Sequence, residues 1–237
     1  MGHKALAALD YLTKQPTAKW EQAALRFMLD DALLWDGGTT WIVIATRGHE
    51  LAIEVANDYA SVGDEECFVR CPLSARSAQK LADARDCMLP TPALVDRLWS
   101  ELTNVRLHAR PIVPTLKWSE VVRHNSMIQD ELLETAGKRL PELVVGHKKD
   151  VVQAAGVKPG RVAIYGWHGV TGNAMQPLNK TAHDDLYYDY SHGVRLVRRA
   201  CVLDGSPADL TDVLADPAFA PLVSDEGEFQ MRYGATQ

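Results

Sequence analysis

The sequence has 237 residues, 46% hydrophobic and 24% charged, enough apolar material for one sizeable core and too much for a disordered chain. Lys and Arg number 25 against 31 Asp and Glu, a formal net charge of -6, and that balance speaks against a dedicated nucleic-acid binder. No run of 18 apolar residues occurs, so no helical membrane span is expected.

In chain order, residues 3–14 and 18–34 read as helices. In the second, Trp20, Ala23, Ala24, Phe27 and Met28 share a face. TTWIVIAT and ELAIEVAN form a hairpin through Arg47-Gly48-His49, with Leu51, Ile53 and Val55 on its buried side. A short strand over 67–73 precedes a helix capped by Ser74. Thr91 is placed as N-cap and Pro92 at the first turn of the next helix. RPIVPT is a linker, and residues 109–116 are the candidate internal boundary of an otherwise single domain, 1–237. A helix over 117–135 follows. Beyond Pro141 the pattern turns to β: ELVVGH, RVAIYGWH and GVRLVRRACVLD, then a short helix over 210–214 and a last turn near 219–223. The expected class is α+β, with N-terminal helices and a hairpin packed against a mainly antiparallel sheet. Trp41, Trp99 and Trp118 fall on apolar faces and are expected in the core; His49 and His124 are expected at a turn and on a helix surface.

The amino terminus lacks the apolar run and cleavage site of a secretory signal. A full-length chain is therefore expected in the cytoplasm, and a chain already relieved of a signal peptide in the periplasm or outside the cell. Cys67, Cys71, Cys87 and Cys201 are too few for a disulfide scaffold. Cys67 and Cys71, four apart, would need two more ligands to hold zinc, and buried free thiols are the simpler reading.

The densest polar run is His183-Asp184-Asp185-Leu186-Tyr187-Tyr188-Asp189-Tyr190-Ser191-His192-Gly193. Two upstream β-runs also end in imidazoles, at Trp167-His168 and at His147-Lys148-Lys149-Asp150. Three strand ends bearing His predict a cleft at one rim of a sheet, and its aromatic and hydrogen-bonding character suits a peptide or sugar. Covalent acyl transfer there needs a nucleophile, a base and oxyanion donors. Cys87, ahead of a capped helix, and Ser191 are the alternatives. His147, His168, His183, Asp184, Asp189 and His192 leave a zinc site open as competing chemistry.

Ser191-His192-Gly193-Val194-Arg195, downstream of His168-Gly169, resembles the L,D-transpeptidase signature. The family's nucleophilic cysteine falls on Val194 and its arginine comes one place early. The resemblance covers about residues 161–197 and implies substrate or oxyanion roles for His168, Ser191, His192, Gly193 and Arg195. A thiol ahead of a helix followed by His on a strand is also similar to papain-like cell-wall amidases. From about 58 to 227 the chain is similar to a group of uncharacterised bacterial proteins through Asp58-Tyr59, Leu89-Pro90-Thr91, 146–150, 164–168 and 189–193, which implies that these segments form one domain and adds no reaction.

The combined expectation is a hydrolase or acyl-transfer enzyme acting on an amide or glycosidic bond of a polar polymer such as a cell-wall peptide, without a cofactor unless zinc is used. Cys87 or Ser191 serves as nucleophile, His168 or His192 as base or acid and Asp189 as orienting carboxylate. His147, Lys149, Trp167, Tyr190 and Arg195 bind substrate. The rival expectations are a noncatalytic peptide- or glycan-binding module and a zinc-dependent hydrolase. Oligomeric state is left open.

Overall fold

A computed structural model describes residues 2–30, 32–102, 105–137 and 143–234. Asp31, in the expected second helix, and Glu142, at the start of an expected strand, lie outside the described residues. The class is α+β, as expected.

Helix α1 (Gly2–Thr13) and helix α2 (Trp20–Met28) bury Ala5, Ala8, Leu12, Trp20, Ala24 and Met28. The second helix is shorter than its apolar pattern suggests, because Leu34–Trp35 (β1) is drawn into a sheet, opposite Val62 and Ser61. The hairpin forms from β2 (Thr39–Thr46) and β3 (His49–Ala56), paired along their whole length. Its two-residue turn takes Arg47 at φ 53° and Gly48 at φ 84°, the left-handed pair whose twist matches that of the strands. Strands β4 (Ser61–Gly63) and β5 (Phe68–Arg70) complete the small sheet β1-β4-β5.

Helix α3 (Ala75–Ala84) starts at Ser74, whose hydroxyl accepts from the Ser77 N–H. After β6 (Cys87–Met88), Thr91 caps α4 (Pro92–Arg97) through the Leu94 N–H. Both caps sit where the sequence puts them, since a short side-chain oxygen ahead of a helix takes up an orphan donor. A single π-turn over Leu98–Leu102 follows α4. Then come β7 (Val105–Arg106), α5 (Trp118–Ala136) and β8 (Val144–Val145), the two strands pairing in parallel.

The C-terminal half holds β9 (Lys149–Val152), β10 (Ala163–His168), β11 (Ala174–Asn179) and β12 (His192–Gly193) in the order β11-β10-β9-β12. Only β12 runs parallel to its neighbour there, with His192 beside Lys149 and Gly193 beside Asp150. Strands β13 (Val197–Arg198), β14 (Ala200–Leu203) and β15 (Ser206–Asp209) join the hairpin and β6 in the order β15-β14-β3-β13-β6, and α6 (Leu210–Ala215) with a 3-10 turn (Ala220–Leu222) follows. Among the described residues, no helix is long and apolar enough to cross a membrane.

One apolar core joins α1, α2 and α3 to Val151, Ile164, Val194 and Leu196, and a second joins the hairpin to α6. Two expectations about side chains are corrected. Trp41 is 56% exposed, because it stands on the outward side of β2 while Ile42 and Ile44 take the core side. His124 is buried rather than on a helix surface, because Lys148 and the Arg110 carbonyl oxygen satisfy its two nitrogens at 3.2 and 3.1 Å.

Candidate functional site at the β9, β10 and β12 strands

Adjacent residues of a strand project to opposite faces, so Lys149 and Asp150 lead into two different clusters. The Lys149 ammonium lies 4.8 Å from the Trp167 ring centre and 4.0 Å from Asp189 Oδ2. Asp189 Oδ1 accepts from the Ser191 N–H at 2.8 Å and from the Ser191 hydroxyl, and its Oδ2 accepts from Tyr187 O–H at 3.0 Å. Burial works to raise the Asp189 pKa, but the neighbouring His192, the Ser191 hydrogen bonds and Lys149 together hold it below the usual carboxylate range. The Tyr187 ring stacks on His183 at 3.7 Å and meets the His192 ring edge-on at 5.6 Å.

This cluster has hydrogen-bonding capacity that the fold leaves unused. His192 is fully buried, and neither of its ring nitrogens has a hydrogen-bond partner; the Trp167 indole N–H is likewise buried without one. Burial first, and then Lys149 among other cations, pushes the His192 pKa down to about 4 against the pull of Asp189. The ring is therefore neutral near pH 7. Trp167 itself has φ 56°, directly after Gly166 at φ 93°. Left-handed backbone at a bulky residue costs on the order of 1–3 kcal/mol, and a buried polar group without a partner adds roughly 1–3 kcal/mol. Beside the cluster opens a cavity of about 250 Å³ walled by Pro114, Thr115, Leu116, Leu186, Tyr187, Tyr188 and Asp189.

On the other face, polar groups are paired deep inside the protein. Asp58 accepts from Arg70 Nε at 2.9 Å and from His147 Nε2 at 3.1 Å. Its pKa is driven far down by Arg70 and His147 although burial opposes this. Tyr59 O–H donates to Asp150 Oδ2 at 2.8 Å, while Asp150 Oδ1 has no hydrogen-bond partner and lies 4.0 Å from Arg195 Nε. Burial raises the Asp150 pKa to about 6 against the pull of Arg195 and Tyr59. Burial likewise lowers His147 to about 4 and Lys148 to about 7.

Several expected roles move in this geometry. Arg195 is buried, donates to the Ala56 and Val144 carbonyl oxygens at 2.6 and 2.7 Å, and stacks over Tyr59 at 4.4 Å. It ties strands together instead of facing a ligand. Tyr190 is also buried and exchanges hydrogen bonds with the backbone of Ile112 at 2.7 and 2.8 Å. Ser191 Oγ is turned to Asp189, and no imidazole receives its proton. Cys87 lies away in β6, opposite Arg198, with its thiol on the Arg85 carbonyl oxygen at 3.2 Å. Burial pushes that thiol up to about 11, which suppresses the thiolate a nucleophile needs.

The imidazoles do not converge on one pocket. His147 is held by Asp58, and His192 by the packing of Tyr187. His168 stacks on Trp99 at 4.4 Å with its Nε2 3.7 Å from Asp96 Oδ1. Tyr165 O–H reaches both Asp96 oxygens at 2.8 and 2.9 Å. Of the expected residues, then, Lys149, Trp167, Asp189, Ser191 and His192 come together, Tyr190 touches them through the Trp167 ring at 6.3 Å, and Cys87, His147, His168 and Arg195 do not join them. Among the described residues, no three His, Cys, Asp or Glu side chains form a group able to hold a metal ion.

Sequence reasoning gave no role to Tyr59, Arg70, Lys148, Asp150 or Asp96. A charge inside an apolar β-run, as Arg70 is in CFVRC, is the one legible signal of a buried ion pair. The glycine of Ser191-His192-Gly193 has a packing reason as well: a Cβ there would stand 2.6 Å from Tyr59 Cδ1 and 2.7 Å from Lys148 Cβ. Val194, which follows that glycine, is fully buried in the core. Comparison of the chain with family models, with curated proteins and with solved structures finds no match.

Proposed function

We propose that this protein binds a segment of a polar polymer, a peptide or glycan of cell-wall type, at the cavity between 114–116 and 186–189, and does not cleave it. The supporting observation is the cavity's backing: Asp189 and Tyr187 in its wall, Lys149 beside Asp189, and Trp167 and His192 behind them with ring nitrogens that have no hydrogen-bond partner. Apolar walls with a few fixed polar groups suit a ligand with flat or aliphatic surface and scattered hydrogen-bonding groups. Binding is favoured over covalent catalysis because no hydroxyl or thiol hydrogen-bonds to His192, whereas nucleophilic catalysis requires that pairing. The likeness of Ser191-His192-Gly193 to the transpeptidase signature, with hydrocarbon in place of its thiol, supports the ligand class.

The test is calorimetric titration with a soluble cell-wall peptide and a short cell-wall glycan, and mass spectrometry of the same mixtures. Saturable binding of one of them, weakened about tenfold or more by Tyr187→Ala with an unchanged far-UV spectrum, is the expected result. No binding of either refutes the reading.

A second reading, a hydrolase or acyl-transfer enzyme at the same site, is favoured by one observation. Both His192 ring nitrogens are unpartnered, and the ring stands beside Asp189, whose charge is the influence that raises its pKa and would stabilise an imidazolium formed there. Product masses in those mixtures, abolished by His192→Gln, decide for it and against the binder.

A further inference from the structure

The hairpin's first strand leaves one side of its backbone open. β2 pairs with β3 from Thr39 opposite Ala56 to Thr46 opposite His49, and the far edge of β3 is taken by β13 and β14. No strand among the described residues pairs with the outer edge of β2. Alternate residues of Thr39–Thr46 therefore point their backbone N–H and C=O away from β3, with no strand among the described residues to receive them. Natural edges of this length are blunted by lysine, proline, a bulge or a covering segment. Thr39–Thr46 reads TTWIVIAT and carries no charge and no proline, and its register with β3 is unbroken.

The outward side of the same strand is apolar. Trp41 is 56% and Val43 53% exposed. Beside Val43 stands Ala52, beside that Val202 on β14, and beside that Pro207 on β15. An apolar band thus crosses four strands and stops at the open edge.

We infer that β2 is the interface between two copies of this chain, joined antiparallel about a two-fold axis into one continuous sheet. The occupant is a second copy because the edge is complementary to itself. Antiparallel self-pairing sets Trp41 and Val43 against the same two residues of the partner, with no charged side chain on either β2 and with Glu54 beside Trp41 as a charge one strand further in. It also sets the turn residue Arg47, which is exposed, toward the partner's Asp36 end of the strand. Isologous contacts of this kind are the commonest way soluble chains close into dimers. Trp and aliphatic cross-strand pairs supply the side-chain part of the energy.

Sedimentation equilibrium of the full chain over roughly 1 to 300 µM tests this. The wild type is expected to sediment as a dimer at the upper concentrations. Trp41→Lys/Val43→Lys, which puts like charges across the axis, is expected to remain monomeric throughout, and Val170→Lys, at another exposed apolar residue, to dimerise like the wild type. Amide exchange gives an independent measure: alternate amides of 39–46 should slow at least tenfold on raising the wild-type concentration, with no change in the double variant. A wild type that stays monomeric overturns the inference, whatever other strand the edge accepts. So does a dimer that survives the double substitution, or one whose 39–46 amides show no added protection.

Discussion

Tyr59 and Asp150 hold each other inside the protein: the phenol donates to Asp150 Oδ2 at 2.8 Å, and each is also served by Arg195, whose guanidinium covers the Tyr59 ring and lies 4.0 Å from Asp150 Oδ1. The pair joins the loop after β3 to β9, which is the join that positions the face bearing Lys149. Tyr59→Phe keeps the ring and removes the donor. It should cost about 1–3 kcal/mol in denaturant unfolding and raise the Asp150 pKa further, because the Tyr59 hydrogen bond is one of the influences lowering it. An unchanged unfolding midpoint would show that the phenol contributes nothing there.

Acid should destabilise the fold before its carboxylates titrate in the usual range. His147 and His192 have folded pKa values lowered to about 4 from an ordinary 6.5. A lowered pKa gives stability that is present above the unfolded value and lost as pH falls toward the folded one. The window is therefore pH 6.5 down to about 4, with on the order of 3 kcal/mol at stake for each ring. Asp150 acts in the opposite sense: raised to about 6 from 3.8, it favours the folded state as pH falls through the same range and offsets part of the loss. Melting temperatures measured from pH 7 to pH 4 should fall, and fall less in a His192→Gln variant.

A packing test is available at Gly193. With Tyr59 Cδ1 and Lys148 Cβ at 2.6 and 2.7 Å from the position of an added Cβ, Gly193→Ala forces neighbouring backbone and ring to shift. Overpacking of this sort costs about 1–3 kcal/mol. Gly205→Ala meets no atom within 4 Å and has only the cost of φ 78°, so urea unfolding of the two variants separates steric from conformational terms. The larger loss belongs at Gly193.

Cys87 should be a poor nucleophile. Its thiol is buried and pushed up to about 11, so at pH 7.5 iodoacetamide should label it only after denaturation, read by peptide mass spectrometry. Rapid labelling of the folded protein would restore it as a reactive thiol.

Local order is where the sequence is most informative. The Ser74 and Thr91 caps, the hairpin through Arg47-Gly48 and the alternation of Leu51, Ile53 and Val55 are set by neighbours a few residues away and lie where the pattern puts them, except that His49, expected in the turn, opens β3. Half of the candidate site was legible for the same reason, since Asp189, Ser191 and His192 are adjacent in the chain and Lys149 and Trp167 end strands that pair. What was not legible depends on contacts between distant segments. The pairing of Asp58 with Arg70 and His147, and the enclosure of Arg195 between the Ala56 and Val144 carbonyl oxygens, arise only when separate strands meet. The exposed Trp41 was misplaced because alternation along β2 says that two sides differ, not which of them is covered.

The position of β13 has a consequence for synthesis. Val197 is clasped between Val55 of β3 and Met88 of β6, so the larger sheet has a slot that the first 196 residues cannot fill. A nascent chain leaving the ribosome must hold that slot open while the rest is translated, and pairing across so long a separation is slow. C-terminal truncation ahead of β13 should accordingly yield an insoluble product instead of a smaller folded protein, and the segment bearing Asp189 and His192 is among the last to settle.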